Sequence, residues 1–200
     1  MSTYPVIFDV SLPTRHDRLQ LLVRLLISIV LGIIGISLGW LLLVAYFALP
    51  AAAAIAIGSY GVEHYFVRTA PAVTRIVRWL LSFEAYMSFL TDRFPTGEES
   101  LVRYRVTPAG APTPADALWR LLASLPEALI LAILGWVAGI VWLISLVFVL
   151  VTEAVPAGLL GFQRGLLRWQ ARLLAYHASV VDVAPPYALD TGPEPPATHA

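Results

Sequence analysis

The chain has 200 residues, of which 58% are hydrophobic and 13% charged, and its formal net charge is zero. Soluble domains carry about 25% charged residues, so a chain of this length could not bury its apolar surface in a water-soluble fold. The composition predicts an integral membrane protein, and the neutral balance gives no indication of nucleic-acid binding. The absence of cysteine excludes disulfides, thiolate metal sites and thiol nucleophiles.

The first element in chain order is a short strand over Val6–Val10, and a similar strand is predicted over Val102–Val106. Apolar side chains alternate with other residues in both segments, which is typical of a half-buried strand. A lone strand leaves N–H and C=O groups unpaired, so the two segments are predicted to pair in a small cytoplasmic sheet, with pairing between subunits as the alternative. The side chains expected to pack on neighbouring helices are Val6, Phe8, Val10, Val102, Tyr104 and Val106.

The first apolar block has no charged residue between positions 25 and 62. These residues would extend about 57 Å as a helix, enough for two crossings of about 20 residues each. The segment before the block carries acids and prolines, unlike a secretory signal, so the block is predicted to stay as an anchor. A second block ends near Pro156. Together they predict two transmembrane hairpins, with helices over 20–40, 42–62, 118–135 and 137–155 and turns near Gly39 and Gly135.

An amphipathic helix is predicted after each block. Arg164, Arg168 and Arg172 recur every four residues in the second helix, and Arg75 and Arg78 lie on the polar edge of the first. Such a helix can lie in the membrane interface, where Trp and Tyr favour the headgroup level; a third transmembrane helix per block is the alternative. The predicted lipid or partner contacts are Arg75, Arg78, Trp79, Tyr86, Arg164, Arg168, Trp169, Arg172 and Tyr176.

The same outline occurs twice along the chain. A shift of 96 residues aligns Arg24 with Arg120, and a shift of 90 aligns Arg78-Trp79 with Arg168-Trp169. Ordered matches at constant offsets predict two tandem repeats, each a strand, a transmembrane hairpin and an amphipathic helix. The predicted divisions are residues 1–97, residues 98–187, and a proline-rich tail over 188–200 that is disordered or extended along a partner.

Arginine placement predicts the topology. All basic residues are arginine, a side chain that binds phosphate bidentately, although GC-rich coding bias would give the same composition. The arginines precede, separate and follow the two blocks, while the predicted hairpin tips carry none. Because positive charge concentrates in cytoplasmic segments, both termini and both amphipathic helices are predicted to be cytoplasmic.

A motif in the second repeat resembles a known family. A Thr-Pro step follows the second apolar helix, and Arg-Trp, Ala-Tyr, Asp and Pro-Pro come after it; a further proline lies in the preceding helix. This pattern resembles the bacterial membrane family called domain of unknown function 4389, and the resemblance covers most of residues 4–187 as two copies. It implies residence in the bacterial cytoplasmic membrane and brings no activity with it. The first copy lacks the Thr-Pro step and the helix proline, so its hairpin is expected to differ. The residues of the second copy are Pro126, Thr152, Pro156, Arg168, Trp169, Ala175, Tyr176, Asp182, Pro185 and Pro186.

Isolated polar residues are the remaining candidates for chemistry. Glu127 lies in an apolar segment and is either an intramembrane carboxylate, hence a possible functional site, or a headgroup-level residue before the true span. Glu63-His64 could bind metal or relay protons, but adjacent helical residues do not face one another, which favours an interfacial polar pair. Glu84 and His177 are expected to be solvated or paired with arginine, with catalysis as the alternative. Asp92 and Asp182 are expected to pair with arginine or to cap a neighbouring helix, with partner anchoring as the alternative.

The sequence contains no P-loop, nucleophile elbow or metalloprotease motif, so no enzyme activity, catalytic residue, cofactor or metal is predicted. Three functions compete. The first is an accessory or scaffold subunit of a larger membrane complex, in contact with other subunits or with its own copies. The second is a protein that holds anionic lipid headgroups with its arginines, and the third is a small transporter or channel component.

Overall fold

The computed structural model describes residues 4–35, 37–96 and 102–189, and only the backbone of Leu38. This part of the chain is mostly helical with one small sheet, in agreement with the coarse prediction. The elements are β1 Val6–Val10, α1 Arg18–Ile33, α2 Leu38–Tyr60, α3 Val62–His64, a π-helical turn Tyr65–Thr69, α4 Ala70–Met87, β2 Val102–Val106, α5 Pro114–Ala123, α6 Leu125–Thr152 and α7 Ala157–His177.

The predicted pairing of the two strands is confirmed. β1 and β2 are antiparallel, and Phe8 pairs with Tyr104 at the centre of the ladder. The alternate apolar side chains point inward: Phe8 is fully buried and Tyr104 is 2% exposed. They pack on α4 and α7, as the alternation predicted. The register is symmetric, because Val6 pairs with Val106 and Val10 with Val102.

The turn between α1 and α2 lies near Gly35, earlier in the chain than the predicted turn at Gly39, because the residues that favour a turn are Gly35 and Ser37. Gly35 adopts a φ of +71°, which favours glycine. The side chain of Ser37 then accepts a hydrogen bond from the backbone N–H of Trp40 and caps α2. α2 continues through Pro50 without ending.

The predicted second hairpin is wrong. A single helix, α6, runs through Gly135 from Leu125 to Thr152, and the chain bends instead at Ser124, just before Pro126. The positions 96 residues after Gly35 and Ser37 are Leu131 and Ile133. Neither can supply a left-handed glycine or a hydroxyl cap, so nothing ends the helix there.

The two predicted halves share one core. β1 packs on α7 and β2 on α4, while α2 packs on α5 and α1 on α6, so each of these contacts joins residues 1–97 to residues 98–187. α4 and α7 pack against each other at the centre. Of the predicted tail over 188–200, only positions 188 and 189 are among the described residues.

Two helices are long and apolar enough to span a membrane, over Gly39–Tyr60 and Leu125–Thr152. Four had been predicted, but α1 has 16 residues and α5 has 10. The outward faces of α2 and α6 are apolar; the most exposed indole of all, that of Trp136, lies in α6 at 83%. These two helices are therefore the candidate spans in the described part of the chain.

Candidate contact sites on the paired helices

A buried arginine joins α1 to the end of α4. Arg24 has no exposed surface. Its Nε donates to the carbonyl of Tyr86 at 2.7 Å, and its Nη2 donates to the carbonyl of Thr91 at 2.7 Å and to Oδ1 of Asp92 at 2.8 Å. The guanidinium lies 4.5 Å from the centroid of the Tyr86 ring. This set, here called the Arg24 clasp, satisfies a charge that would be costly to bury alone.

The second half contains the same arrangement between α5 and the end of α7. Arg120 Nη1 donates to the carbonyls of Tyr176 at 2.7 Å and Val181 at 2.5 Å, and its Nη2 donates to Asp182 Oδ1 at 2.5 Å. Its guanidinium lies 4.6 Å from the centroid of the Tyr176 ring. The Arg120 clasp thus has the same contacts as the Arg24 clasp, at positions 96 or 90 residues further along the chain.

The ends of α4 and α7 present their carbonyls to the clasps in the same way. Phe89 and Ser179 are left-handed, with φ of 63° and 53°. After α4, the N–H of Leu90 donates to the carbonyl of Ala85 at 3.0 Å, and the equivalent bond after α7 measures 3.2 Å. Such a Schellman closure turns the chain sharply and brings the following carbonyl and aspartate under the arginine.

The clasps contain four of the predicted residues. Asp92 and Asp182 pair with arginine, which was one of their predicted roles. The carboxylate of Asp92 also accepts a hydrogen bond from the backbone N–H of Asp17 at 2.8 Å. Tyr86 is fully buried, and Tyr176 lies beneath Arg120. The Tyr86 ring therefore stacks on an arginine inside the protein, where headgroup contact had been predicted. Tyr176 is half-buried, and its contact with lipid or a partner stays a prediction.

The exposed arginine stripe predicted on α7 is wrong, because Arg168 and Arg172 are 6% and 2% exposed. Arg168 Nη2 lies 3.7 Å from Oδ1 of Asp9, and its Nε donates to the carbonyl of Phe8 at 3.3 Å. Arg172 lies 5.6 Å from the centroid of the Tyr4 ring. Strand β1 therefore covers the polar face of α7, while Arg164 is half-buried.

Trp169 is also buried, at 4% exposure, and its indole N–H donates to the carboxylate of Glu127. Glu127 lies in the first turn of α6 and is 2% exposed. The structure thus gives Glu127 a protein partner within hydrogen-bond distance. Whether it lies in the bilayer core stays a prediction.

The equivalent residues of α4 lie on the surface. Arg75 and Arg78 are exposed, Trp79 is 51% exposed, and the Trp79 ring stacks on Phe83 with 5.6 Å between centroids. The position equivalent to Glu127 in the first half is Leu31, which offers no acceptor. Contact of these three residues with lipid or a partner stays a prediction.

One carboxyl is buried between α4 and α7. Glu84 accepts a side-chain hydrogen bond from Gln170, and burial raises the pKa of Glu84 to about 8. A neutral carboxyl is therefore favoured at this interface near neutral pH. The predicted solvated or arginine-paired role of Glu84 is wrong, because the residue is 7% exposed and its partner is an amide.

A polar cluster that the sequence did not indicate connects α2, α5 and α7. Ser124 Oγ lies 2.7 Å from Nε2 of His177 and 2.9 Å from the hydroxyl of Tyr46. Burial lowers the pKa of His177 to about 4, so the ring is neutral near pH 7. A serine beside a histidine is also the geometry of an activated nucleophile, but the Ser124 and His177 side chains are buried at helix contacts, where a substrate has no access. The cluster therefore holds three helices together.

The remaining candidate, Glu63-His64, lies on the surface, where the His64 ring is 5.1 Å from that of Tyr60. Within residues 4–35, 37–96 and 102–189, no group of three or more His, Cys, Asp or Glu could hold a metal ion. The exposed position of Glu63 and His64 is consistent with the predicted interfacial polar pair.

Comparison with known proteins gives one match. Residues 114–188 match the family described as Domain of unknown function (DUF4389), and the match supports membership of that family for this part of the chain. It covers α5, α6 and α7 and one copy of the predicted pair. No curated protein and no solved structure matches the chain significantly.

Proposed function

We propose that the chain is a non-enzymatic, multi-pass protein of the bacterial cytoplasmic membrane that acts as an accessory or scaffold subunit of a larger complex. One observation carries the proposal. The buried polar side chains of the clasps and of the Ser124 cluster bind other parts of the same chain, while large apolar side chains of α2 and α6 face outward. A protein built in this way offers surface for helix and lipid contacts, and no polar cavity is needed for that role.

We further propose that the two halves are tandem repeats. The Arg24 and Arg120 clasps support this, because an equivalent arginine binds the equivalent carbonyls and aspartate in each half. The symmetric register of β1 and β2 supports it as well. An antiparallel pair of equivalent strands relates the repeats by a local two-fold axis. With that axis along the membrane normal, both repeats would enter a bilayer from the same side.

Strand pairing also supports a same-side topology. β1 and β2 are hydrogen-bonded, so the chain between them must cross a bilayer an even number of times. With 16 residues, α1 is about 24 Å long, against about 30 Å for the hydrocarbon core. It therefore enters the bilayer and returns through α2. With arginine on the strand side, that side would be cytoplasmic.

Single-cysteine labelling tests the topology, since the native chain has no cysteine. Arg15 and Arg18 pair with Glu153 directly after α6, so the end of α6 lies beside the segment that follows β1. Cysteines at Thr3 and Thr198 should therefore react with a membrane-impermeant reagent only from the cytoplasmic side. A cysteine at Gly35, in the turn, should not react from that side. Labelling of the two termini from opposite sides would contradict the topology.

Co-purification from native membranes in a mild detergent tests the scaffold role. The chain has a mass of 21.8 kDa, and we expect it to elute in a larger particle with a partner chain in fixed proportion. A multi-pass protein with the same tag serves as the control for detergent aggregation. Elution as a lone chain in every detergent would contradict the proposal. A transporter role has weaker support, because the acidic residue near a span, Glu127, is bound by Trp169.

A further inference from the structure

A basic surface lies where α4 meets β2. It consists of exposed side chains on both elements: Arg75, Arg78, Trp79, Arg103 and Arg105, here called the α4–β2 patch. In the part of the chain that the structure describes, its four arginine side chains have no hydrogen-bond or ion-pair partner. α4 itself contributes one acidic residue, Glu84, and that residue is buried.

The other half of the molecule shows what such side chains bind. On α7, Arg168 contacts the carboxylate of Asp9, and Trp169 donates to the carboxylate of Glu127. The position equivalent to Asp9 on β2 is Arg105, which replaces attraction for Arg78 by repulsion. Both internal acceptors are therefore missing beside α4, and the patch is complementary to an external anion.

The neighbouring side chains indicate the source of that anion. Ile76 and Trp79 are 65% and 51% exposed beside the arginines, so apolar and cationic side chains share one outer surface. An amphipathic helix of this kind suits the boundary between headgroups and acyl chains, and arginine binds phosphate bidentately. We propose that the α4–β2 patch binds the phosphate of an anionic phospholipid, with Trp79 at headgroup level. The proposal rests on membrane residence and does not require a partner complex.

The test uses the purified full-length chain in neutral detergent, with phosphatidylglycerol or phosphatidylcholine added in increasing amounts. A ligand that binds the folded state stabilises it by RT ln(1 + L/Kd) at a free ligand concentration L, so the midpoint of thermal unfolding rises with the ligand concentration and reports the apparent affinity. We expect phosphatidylglycerol to raise the midpoint and phosphatidylcholine to leave it unchanged. Each arginine near an anionic surface contributes about fivefold in affinity, so R78Q/R105Q should weaken the apparent affinity by a factor on the order of 25.

The matched control is R15Q/R68Q, which removes the same charge from exposed side chains outside the patch and should retain the affinity for phosphatidylglycerol. Equal effects of the two lipids, or equal losses in the two double variants, would overturn the proposal. Inorganic phosphate or a hexaglutamate peptide that raises the midpoint as much as phosphatidylglycerol would also overturn it, in favour of a soluble anion or an acidic protein partner. None of these readings depends on co-purified subunits, so failure here is distinguishable from failure of the scaffold role.

Discussion

Helices α4 and α7 carry the same framework in different surroundings. Each has an Arg-Trp pair, then Ala-Tyr, then a left-handed residue that ends the helix under a buried arginine. Yet Trp169 is 4% exposed and Trp79 is 51% exposed. The difference originates outside both helices, because Asp9 and Glu127 accept from α7, whereas the equivalent positions beside α4 are Arg105 and Leu31.

This comparison shows that a helix pattern does not by itself decide which face is solvated. Burying a guanidinium is unfavourable unless acceptors compensate the lost water. Strand β1 supplies a carboxylate and a carbonyl to Arg168, so that residue can be buried. Strand β2 supplies arginine instead, and Arg78 stays outside.

Breaking a clasp should have the largest effect, since it removes the feature that α4 and α7 share. Removing one member of a buried, hydrogen-bonded ion pair costs about 3–5 kcal/mol, so Arg24→Gln should lower the free energy of unfolding by that amount. Arg120→Gln should cost less, because the side chain of its partner Asp182 is 42% exposed, against 20% for Asp92. Denaturant titration in detergent micelles measures both, and Arg15→Gln, at an exposed ion pair, should cost at most about 1 kcal/mol. A loss for Arg24→Gln no larger than that of Arg15→Gln would contradict the prediction.

The buried acid between α4 and α7 predicts a pH dependence of stability. Burial raises the pKa of Glu84 to about 8, so its contribution is complete below the unfolded-state pKa and is lost as pH rises through 8. His177 acts oppositely: its pKa falls to about 4 from 6.5, so its contribution is lost only as pH falls below 6.5. Between pH 6.5 and 8 the contribution of His177 no longer changes, and the Glu84 effect is the part of the decline that Glu84→Gln removes.

Measured as the free energy of unfolding, the wild type should lose about 2 kcal/mol across that window, at 1.36 kcal/mol per pKa unit. Glu84→Gln, which mimics the neutral acid, should flatten the difference and should leave the clasps intact. His177→Asn is the control and should retain the decline. An equally steep decline in Glu84→Gln would refute a neutral Glu84.

Some of these structural features could be predicted from the sequence, and others could not, for physical reasons. The strands were predicted with the bounds observed, because alternation and terminating prolines are local signals. The clasps left a partial signal, since Arg24 and Arg120 recur in apolar helices, but most of their acceptors are backbone carbonyls, which no side chain reveals. The burial of α7 depends on Asp9, more than 150 residues away, and no local pattern contains that contact.

The failure to predict α6 as one continuous helix is a different kind of error, because the sequence already contained evidence against a turn in this block. Alignment of the two halves places Leu131 and Ile133 where the first half has Gly35 and Ser37. A turn needs the conformational freedom of the glycine and the cap of the serine. The hairpin was predicted from the length of the hydrophobic block and from Gly135 in the place of Gly39, and the missing turn residues should have outweighed both.

Replacing Trp169 or Trp79 by phenylalanine tests whether one hydrogen bond distinguishes the surroundings of α7 from those of α4. Trp169→Phe leaves the buried Glu127 without its indole donor, so the free energy of unfolding should fall by about 1–3 kcal/mol. Trp79→Phe removes no bonded donor in the described part of the chain and retains stacking on Phe83, so it should cost less than about 0.5 kcal/mol. Equal costs, measured by the same denaturant titration, would show that the Glu127 contact is not what distinguishes α7.

The smallest expected effect comes from making β2 resemble β1. Arg105→Asp places a carboxylate where β1 has Asp9, and Arg78 then gains the partner that Arg168 has. A partly exposed ion pair contributes about 0.2–1 kcal/mol, so stability should rise only slightly.

The sharper readout is Trp79, whose neighbour Arg78 should move onto the strand and draw the indole inward. Acrylamide quenching should therefore decrease in Arg105→Asp, and the decrease should disappear when Trp79→Phe is added. Arg103→Asp, opposite Asp9 in the ladder, is the matched control: its side chain occupies the position equivalent to Ile7, so it should leave the quenching of Trp79 unchanged. If Arg105→Asp left quenching unchanged as well, the strand charge would not be the cause of the difference between α4 and α7, and the missing acceptor at Leu31 would have to account for it alone.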